Sequence, residues 1–215
     1  STKEATAAVL QRRYRTLKNP RSYNNESTMP LTLLQLDASH ELAVLEMGAY
    51  VPGDIALLAQ LARPQVGIVT NVGHSHLERM GSIEMVARTK GEMFAGLPDD
   101  GIAILNADDA QAPLWRELAG KRRVSSFGLS ADFRAENMQA TADGSVFTLR
   151  SPAGAIEITL KHRGLHNVRN ALAVAVCARH CGFSDARIQS AFDTFRSVKR
   201  RMELRGEPRG IAVVD

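Results

Sequence analysis

The 215-residue sequence lacks any apolar run near the roughly 20 residues that a membrane-spanning helix requires. Its opening, STKEATAAVL, also lacks the basic start and apolar core of a signal peptide. No internal repeat and no low-complexity tract is present. We therefore expect a cytoplasmic protein with no membrane insertion.

Cysteine and excess charge are scarce as well. The two cysteines, Cys177 and Cys181, lie on one predicted helix, and His180 is the only further metal ligand nearby. We therefore expect reduced, mostly buried thiols rather than a metal site. The net charge of +4 is mild and the basic residues are scattered, so we expect no nucleic-acid partner. An anionic substrate would explain the charge equally well.

Apolar strand-like runs alternate with helical patterns, which predicts βαβ units and a mostly parallel sheet flanked by helices, an α/β fold. The predicted helices are Thr2–Leu17, Leu31–Leu36, Asp54–Ala62, Ile83–Leu97, Ala110–Ala119, Asn167–Cys181 and Ser184–Phe195. The predicted strands of this part are Leu42–Glu46, Val66–Asn71, Ile102–Asn106 and Arg123–Phe127. A last strand is expected to begin at Ile211–Val214.

A different pattern occupies roughly residues 131–162, where polar and apolar residues alternate. The alternation covers Phe133–Thr141, Ser145–Ser151 and Ala155–Lys161. Asp143-Gly144 joins the first two runs, and Asp-Gly between alternating runs is a strong hairpin signal. We expect a small antiparallel β subdomain here.

Polar residues follow three of the predicted strands. Glu46 ends one strand, Thr70–Ser82 follows the next, and Asn106–Asp109 follows the third. Ligands of open α/β sheets bind at the carboxyl ends of strands. Carboxylates there can hold Mg2+, which prefers oxygen ligands. Together with Lys90 on the following helix, these residues predict a metal–nucleotide site.

Each of these residues also has an ordinary structural interpretation. Glu46 could be a surface residue at a strand end, Lys90 a solvated helix residue, and His74 and His76 structural histidines. Asp at a helix start is common, so the Asn106–Asp109 segment could serve as an N-cap. The polar segment that opens the Asn167–Cys181 helix, LHNVRN, could face a ligand or cap the helix.

Five segments, in this order, resemble the central ATPase domain of the Mur ligases. They are GIVTNVGHSHLERMGS, ARTKGEMFAGLP, AILNADD, GLHNVRNALAV and RRME. The resemblance spans nearly the whole chain and implies a P-loop NTPase-like fold with ATP and Mg2+ as cofactors. Two further segments, NPRSYNNESTMPLTLL and LEMGAYVPGDIALLAQLARP, look most like the branch that joins D-Ala-D-Ala to UDP-N-acetylmuramoyl-tripeptide.

The resemblance implies site residues. Glu46 and His76 match the magnesium ligands of the family, and Lys90 matches a lysine carbamylated by CO2 whose new carboxylate helps to hold magnesium. These three are the expected catalytic residues. Asn24 and Asn25 match the loop that faces the uridylyl-peptide substrate. The expected nucleotide-binding residues are Asn106, His166, Asn167, Asn170 and Arg201.

The resemblance also implies that residues 1–215 are an excerpt, a central domain that lacks the phosphate-binding loop and the N- and C-terminal domains. Thr28 stands where the branch usually has glycine, which tolerates positive φ, and Arg200 replaces a glycine before Arg201. The implied activity is ATP-dependent acid–amino-acid ligation through an acyl phosphate, by a monomer. The alternatives are another Mur ligase, a folylpolyglutamate synthase-like ligase, and a non-catalytic Mur-like scaffold.

Overall fold

The computed structural model describes residues 2–73, 77–142, 144–194, 204–206 and 213–214. The helices are α1 Thr2–Leu10, α2 Met29–Leu33, α3 Asp54–Ala62, α4 Leu77–Met80, α5 Ile83–Ala95, α6 Ala112–Ala119, α7 Leu165–His180 and α8 Asp185–Thr194. The strands are β1 Thr16–Lys18, β2 Leu42–Val44, β3 Val66–Val69, β4 Ile102–Asn106, β5 Arg123–Gly128, β6 Phe133–Ala140, β7 Ser145–Ser151, β8 Gly154–Leu160, β9 Leu204–Gly206 and β10 Val213–Val214.

The main sheet has six strands in the order β3-β4-β5-β6-β7-β8. Strands β3 to β6 pair in parallel, and β6, β7 and β8 pair antiparallel. Helices α4 and α5 connect β3 to β4, and α6 connects β4 to β5. Such crossovers keep neighbouring strands parallel, so the carboxyl ends of β3 and β4 lie at the same edge. Separately, β1 pairs in parallel with β2, and β9 pairs antiparallel with β10.

Apolar cores lie on both faces of this sheet. Side chains in β4 alternate between them: Ile104 joins the core made with α1, α7 and α8, whereas Ala103 and Leu105 join the core made with α3, α5 and α6. Residues of one strand point alternately to opposite faces, so a strand covered on both sides is apolar throughout. The result is a three-layer α/β architecture, as predicted.

The three predicted antiparallel strands are confirmed and extend the parallel sheet. The ends of β5 and β6 pair over two residue pairs, Phe127 with Phe133 and Gly128 with Arg134. The tight connection is held by Asp132, whose carboxylate accepts from both the N–H and the hydroxyl of Ser126. The Asp143 position of the predicted hairpin turn lies outside the described residues.

The helix predicted over Thr2–Leu17 is wrong in its second half. Helix α1 ends at Leu10, and Thr16–Lys18 forms β1 instead. The pairing of β1 with β2 explains the difference, because it joins residues 26 positions apart, such as Thr16 and Leu42. A long-range pairing of this kind overrides a local helical pattern. No described helix is long and apolar enough to cross a membrane.

Candidate active site

Four residues near the carboxyl ends of β3 and β4 and on α5, named here the Lys90 cluster, form one connected group: Asn71, Lys90, Asn106 and Asp109. The Nζ atom of Lys90 donates to the carbonyl oxygen of Asn71 over 2.8 Å. Asp109 accepts from the N–H of Val72 over 2.8 Å. These bonds fasten residues 71 and 72, just beyond β3, to the end of β4 and to α5.

Lys90 is half-buried within this cluster. Burial lowers its pKa below the ordinary value, and the charge of Asp109 offsets this only in part. Desolvation disfavours the ammonium form, so the neutral amine is more accessible here than on a solvated lysine. The interpretation of Lys90 as a solvated surface residue does not fit this environment.

Asn106 is 5% exposed and ends β4. Its Nδ2 donates to the carbonyl oxygen of Thr70 over 2.9 Å, and its Oδ1 accepts from the N–H of Asp108 over 3.0 Å. The side chain therefore ties the ends of β3 and β4 together and shapes the turn that follows.

A second group, named here the Glu46 cluster, consists of Lys3, Asn19, Asn24 and Glu46. The carboxylate of Glu46 accepts from Nδ2 of Asn24 over 2.9 Å. The backbone of Glu46 is held by Asn19, whose Oδ1 accepts from its N–H and whose Nδ2 donates to its carbonyl. Glu46 thus stands in an ordered polar setting two residues beyond β2.

The Asn25 side chain organises its own loop. Its Oδ1 accepts from the N–H groups of Ser27 and Thr28 and from the Thr28 hydroxyl, over 3.1, 2.9 and 2.7 Å. Thr28 has φ −103°. The threonine therefore adopts an ordinary negative φ, so its replacement of the branch's glycine creates no strain, and its hydroxyl contributes to the turn.

The start of α7 meets the end of β4 through an ion pair. Nε of Arg169 lies 3.0 Å from Oδ2 of Asp108, whose Oδ1 accepts from the N–H of Leu129 over 2.8 Å. Gly128 permits this approach, since a Cβ atom there would lie 2.5 Å from Asp108 Oδ1. The ion pair joins the second turn of α7 to Asp108, whose own N–H donates to Asn106 of the Lys90 cluster.

The predicted residues of α7 lie within its first two turns. His166 is exposed, and Asn167 donates from Nδ2 to the carbonyl of Arg163 over 2.8 Å. Asn170 accepts from the Thr2 hydroxyl over 2.9 Å. Because Lys3 belongs to the Glu46 cluster, the first turn of α1 links that cluster to α7.

Two predicted residues, His76 and Arg201, lie outside the described part of the chain, as does His74. Within the described part, no group of three or more His, Cys, Asp and Glu residues is arranged to hold a metal ion. The donors that are described nevertheless suit Mg2+: the Glu46 carboxylate offers oxygen, and Mg2+ keeps several waters and needs few protein ligands.

Sequence reasoning missed Lys3 and Asn19 as members of the site. Asn19 is 0% exposed and Lys3 is 7% exposed, both unusual for their residue types. No local pattern marks either residue. The one available signal was that Asn19 opens the segment NPRSYNNESTMPLTLL, which also carries Asn24 and Asn25.

Comparisons with known proteins agree with this geometry. The chain is 39% identical over 205 residues to the UDP-N-acetylmuramoyl-tripeptide–D-alanyl-D-alanine ligase of Escherichia coli (strain K12), covering 94% of this chain and 45% of that protein. A crystal structure of MurF from Acinetobacter baumannii matches with a TM-score of 0.91 and 30% identity, over 94% of this chain and 45% of that one. The MurF ligase of Thermotoga maritima in complex with ADP matches with a TM-score of 0.85 and 26% identity, over 96% of this chain and 48% of that one.

The chain therefore spans under half the length of these relatives. A family model described as the Mur ligase middle domain matches residues 1–178, most of the chain. Together with the α/β sheet and the polar clusters at its strand ends, this match shows that the chain belongs to the Mur ligase family, in which residues 1–178 correspond to the middle domain.

Proposed function

We propose that the protein carrying this chain is an ATP-dependent ligase that joins D-Ala-D-Ala to UDP-N-acetylmuramoyl-tripeptide in peptidoglycan precursor synthesis. The observation that carries the proposal is the desolvated Lys90 beside Asn71 and Asp109, in a chain 39% identical to a ligase named for that reaction. Since the chain spans under half of that relative, the activity is proposed for the protein expressed from its complete reading frame, hereafter the complete protein.

The reaction couples two group transfers. The tripeptide carboxylate attacks the γ-phosphorus of ATP, ADP leaves, and an acyl phosphate forms. The free amine of D-Ala-D-Ala then attacks the acyl carbon through a tetrahedral intermediate. Phosphate leaves as the amide bond forms, and the amine loses a proton. Phosphoryl transfer of this kind depends mostly on positioning and electrostatic stabilisation.

Lys90 is proposed to act as a carbamate. Its neutral amine attacks CO2, a C–N bond forms, and a proton is released, so a cation becomes an anion. Burial lowers the pKa of Lys90, which raises the population of the neutral amine that this step requires. Glu46 and His76 are proposed as the other magnesium ligands, and bound Mg2+ would neutralise charge on the phosphate oxygens.

The nucleotide is proposed to lie between β4 and the start of α7. Asn106 shapes the β4 turn through its two side-chain bonds, and Asn170 fixes α7 to α1. His166 is exposed toward solvent and Asn167 lies in the same turn. These four residues and Arg201 are proposed to surround the adenine nucleotide, and the MurF ligase of Thermotoga maritima solved with ADP supports nucleotide binding in this fold.

The peptide substrate is proposed to meet the loop that carries Asn24 and Asn25. Asn24 donates to the Glu46 carboxylate, so a substrate at this loop would lie beside the proposed cation. The role of Asn25 is to hold the loop in shape through its bonds to Ser27 and Thr28.

The test is phosphate release by the complete protein with ATP, Mg2+ and UDP-N-acetylmuramoyl-tripeptide. Release that depends on D-Ala-D-Ala is expected. Release only with a single amino acid or with glutamate would keep the ligase chemistry and change the amino substrate. Absence of release with every amine would instead favour a non-catalytic scaffold.

A further inference from the structure

Asn19 uses its whole side-chain amide to hold two backbone segments. Its Oδ1 accepts from the N–H of Glu46 over 3.0 Å, and its Nδ2 donates to the carbonyls of Glu46 and Tyr23 over 2.9 and 2.7 Å. The last ladder pair of β1 and β2 is Lys18 with Val44. The Asn19 side chain thus continues the ladder beyond its last backbone pair and fixes both polar groups of the Glu46 backbone.

Lys3 holds Asn19 from the other side. Its Nζ donates to the carbonyls of Asn19 and Arg21 over 2.7 and 2.5 Å and lies 3.3 Å from Oε1 of Glu4. Arg21 has φ 47°, a left-handed conformation uncommon outside glycine. A lysine is rarely this buried unless it is paired, and these two carbonyls are its partners. The same bonds hold the turn in a backbone conformation that is otherwise unfavourable.

The carboxylate end of Glu46 is held by a different side chain. Asn24 donates to it from Nδ2 over 2.9 Å, and the Asn24 carbonyl accepts from the N–H of Gly48 over 2.7 Å. A Cβ atom at Gly48 would lie 3.0 Å from Cγ of Asn24. The small residue therefore lets the Asn24 side chain lie against the backbone and reach Glu46.

The geometry points to Asn19, anchored by Lys3, as a positioning residue that aims the Glu46 carboxylate at a divalent cation. This inference rests on the proposed function, because it deepens the role of Glu46 there. Asn19 fixes the Glu46 backbone from which the carboxylate projects, whereas Asn24 fixes its tip. Mutation of a partner that orients a metal-binding side chain typically lowers metal affinity by about 10- to 100-fold.

Two readouts test the inference in the complete protein. The first is hydrogen–deuterium exchange of the Glu46 amide, which Asn19 protects directly. The second is Mn2+ affinity, followed by electron paramagnetic resonance with a non-hydrolysable ATP analogue present. Asn19→Ala is expected to speed exchange at Glu46 and to weaken Mn2+ binding about tenfold. Gln139→Ala, which removes an exposed amide from β6, is the matched control and is expected to change neither.

Lys3→Met is the second variant, because it removes the two anchoring bonds while keeping a similar side-chain volume, and it carries the test if Asn19→Ala does not fold. Its control is Lys121→Met, at an exposed lysine. Lys3→Met, like Asn19→Ala, is expected to weaken Mn2+ binding. Wild-type Mn2+ affinity in a folded variant at either position would overturn the inference. Failure of the proposed function would look different: the wild-type protein itself would show no amine-dependent phosphate release.

Discussion

Lys90 donates from Nζ to the carbonyl oxygen of Asn71 across 2.8 Å, which joins α5 to the segment that follows β3. The lysine is therefore fixed in position before any ligand arrives. A pre-positioned amine with a lowered pKa is suited to conversion into a carbamate at this place.

The first prediction concerns removal of that amine. Lys90→Ala in the complete protein should reduce turnover by about 100-fold, because the proposed anionic ligand is lost. The free energy of unfolding should change by only about 1 kcal/mol, since the lysine makes one described hydrogen bond. Steady-state phosphate release and urea denaturation measure the two effects, with Lys121→Ala as the exposed control. Formate or acetate should restore part of the activity, and full activity without either would contradict the assigned role.

The second prediction is the pH dependence that Lys90 imposes on stability. Burial lowers its pKa from the ordinary 10.5, so the unfolded chain binds this proton more readily in the window between the two values. The free energy of unfolding should therefore rise with pH across that window, and the gain should be lost as pH falls through the folded-state pKa. Lys90→Met should remove this contribution. Urea denaturation of both proteins at several pH values in the window gives the free energy of unfolding as a function of pH. If the lysine were freely solvated, this free energy would change with pH equally in the two proteins.

The third prediction concerns Arg122, which closes two helices. Its guanidinium donates to the carbonyl of Ala95, the last residue of α5, over 3.1 Å, and to that of Leu97, two residues beyond it, over 2.8 Å. It also donates to the carbonyl of Ala119, the last residue of α6, over 3.4 Å. Arg122→Ala should lower the free energy of unfolding by about 1–2 kcal/mol, because terminal carbonyls lose a charged donor. Chemical denaturation measures this loss. Arg116→Ala, at an exposed position of α6, should stay within about 0.5 kcal/mol of wild type, and an equal loss there would refute the capping role.

The fourth prediction concerns Gly91, next to Lys90 on α5. A Cβ atom at Gly91 would lie 2.4 Å from Cδ1 of Leu118 and 3.1 Å from Cδ1 of Trp115 on α6. Gly91→Ala should lower the free energy of unfolding by about 1–3 kcal/mol, because overpacking against α6 outweighs the higher helix propensity of alanine. The double variant with Leu118→Ala should show a favourable coupling in a double-mutant cycle. Strictly additive effects would mean that α6 does not limit the space at this position.

Local patterns correctly predicted the bounds of elements in which apolar residues recur at a regular spacing. Asp54–Ala62, Ile102–Asn106 and Ser145–Ser151 have the predicted bounds, since their apolar spacing agrees with their final environment. β1 was missed, because its pairing with β2 depends on residues far along the chain. Short strands of this kind contain too few residues for their periodicity to be distinguished from that of a helix.

The candidate site was predictable where side chains follow strands. Asn106 ends β4, Glu46 follows β2 by two residues, and Lys90 lies on α5, between β3 and β4. The roles of Asn19 and Lys3 were not predictable, because both side chains bind backbone groups. Every residue type has such groups, so the sequence of the bound segments does not reveal the contact. The sequence also did not reveal that both the Nδ2 and the Oδ1 of Asn106 form hydrogen bonds to backbone groups of the protein.

Trp115 is the single tryptophan of this chain and is fully buried, with its indole N–H donating to the carbonyl of Ala87 over 3.0 Å. That carbonyl lies one turn before Lys90 on α5. The indole is consequently a built-in optical reporter: its emission wavelength follows the polarity and spacing of the helix that carries the proposed carbamate. Ligand-dependent shifts in this emission would register movement of α5 without any attached label.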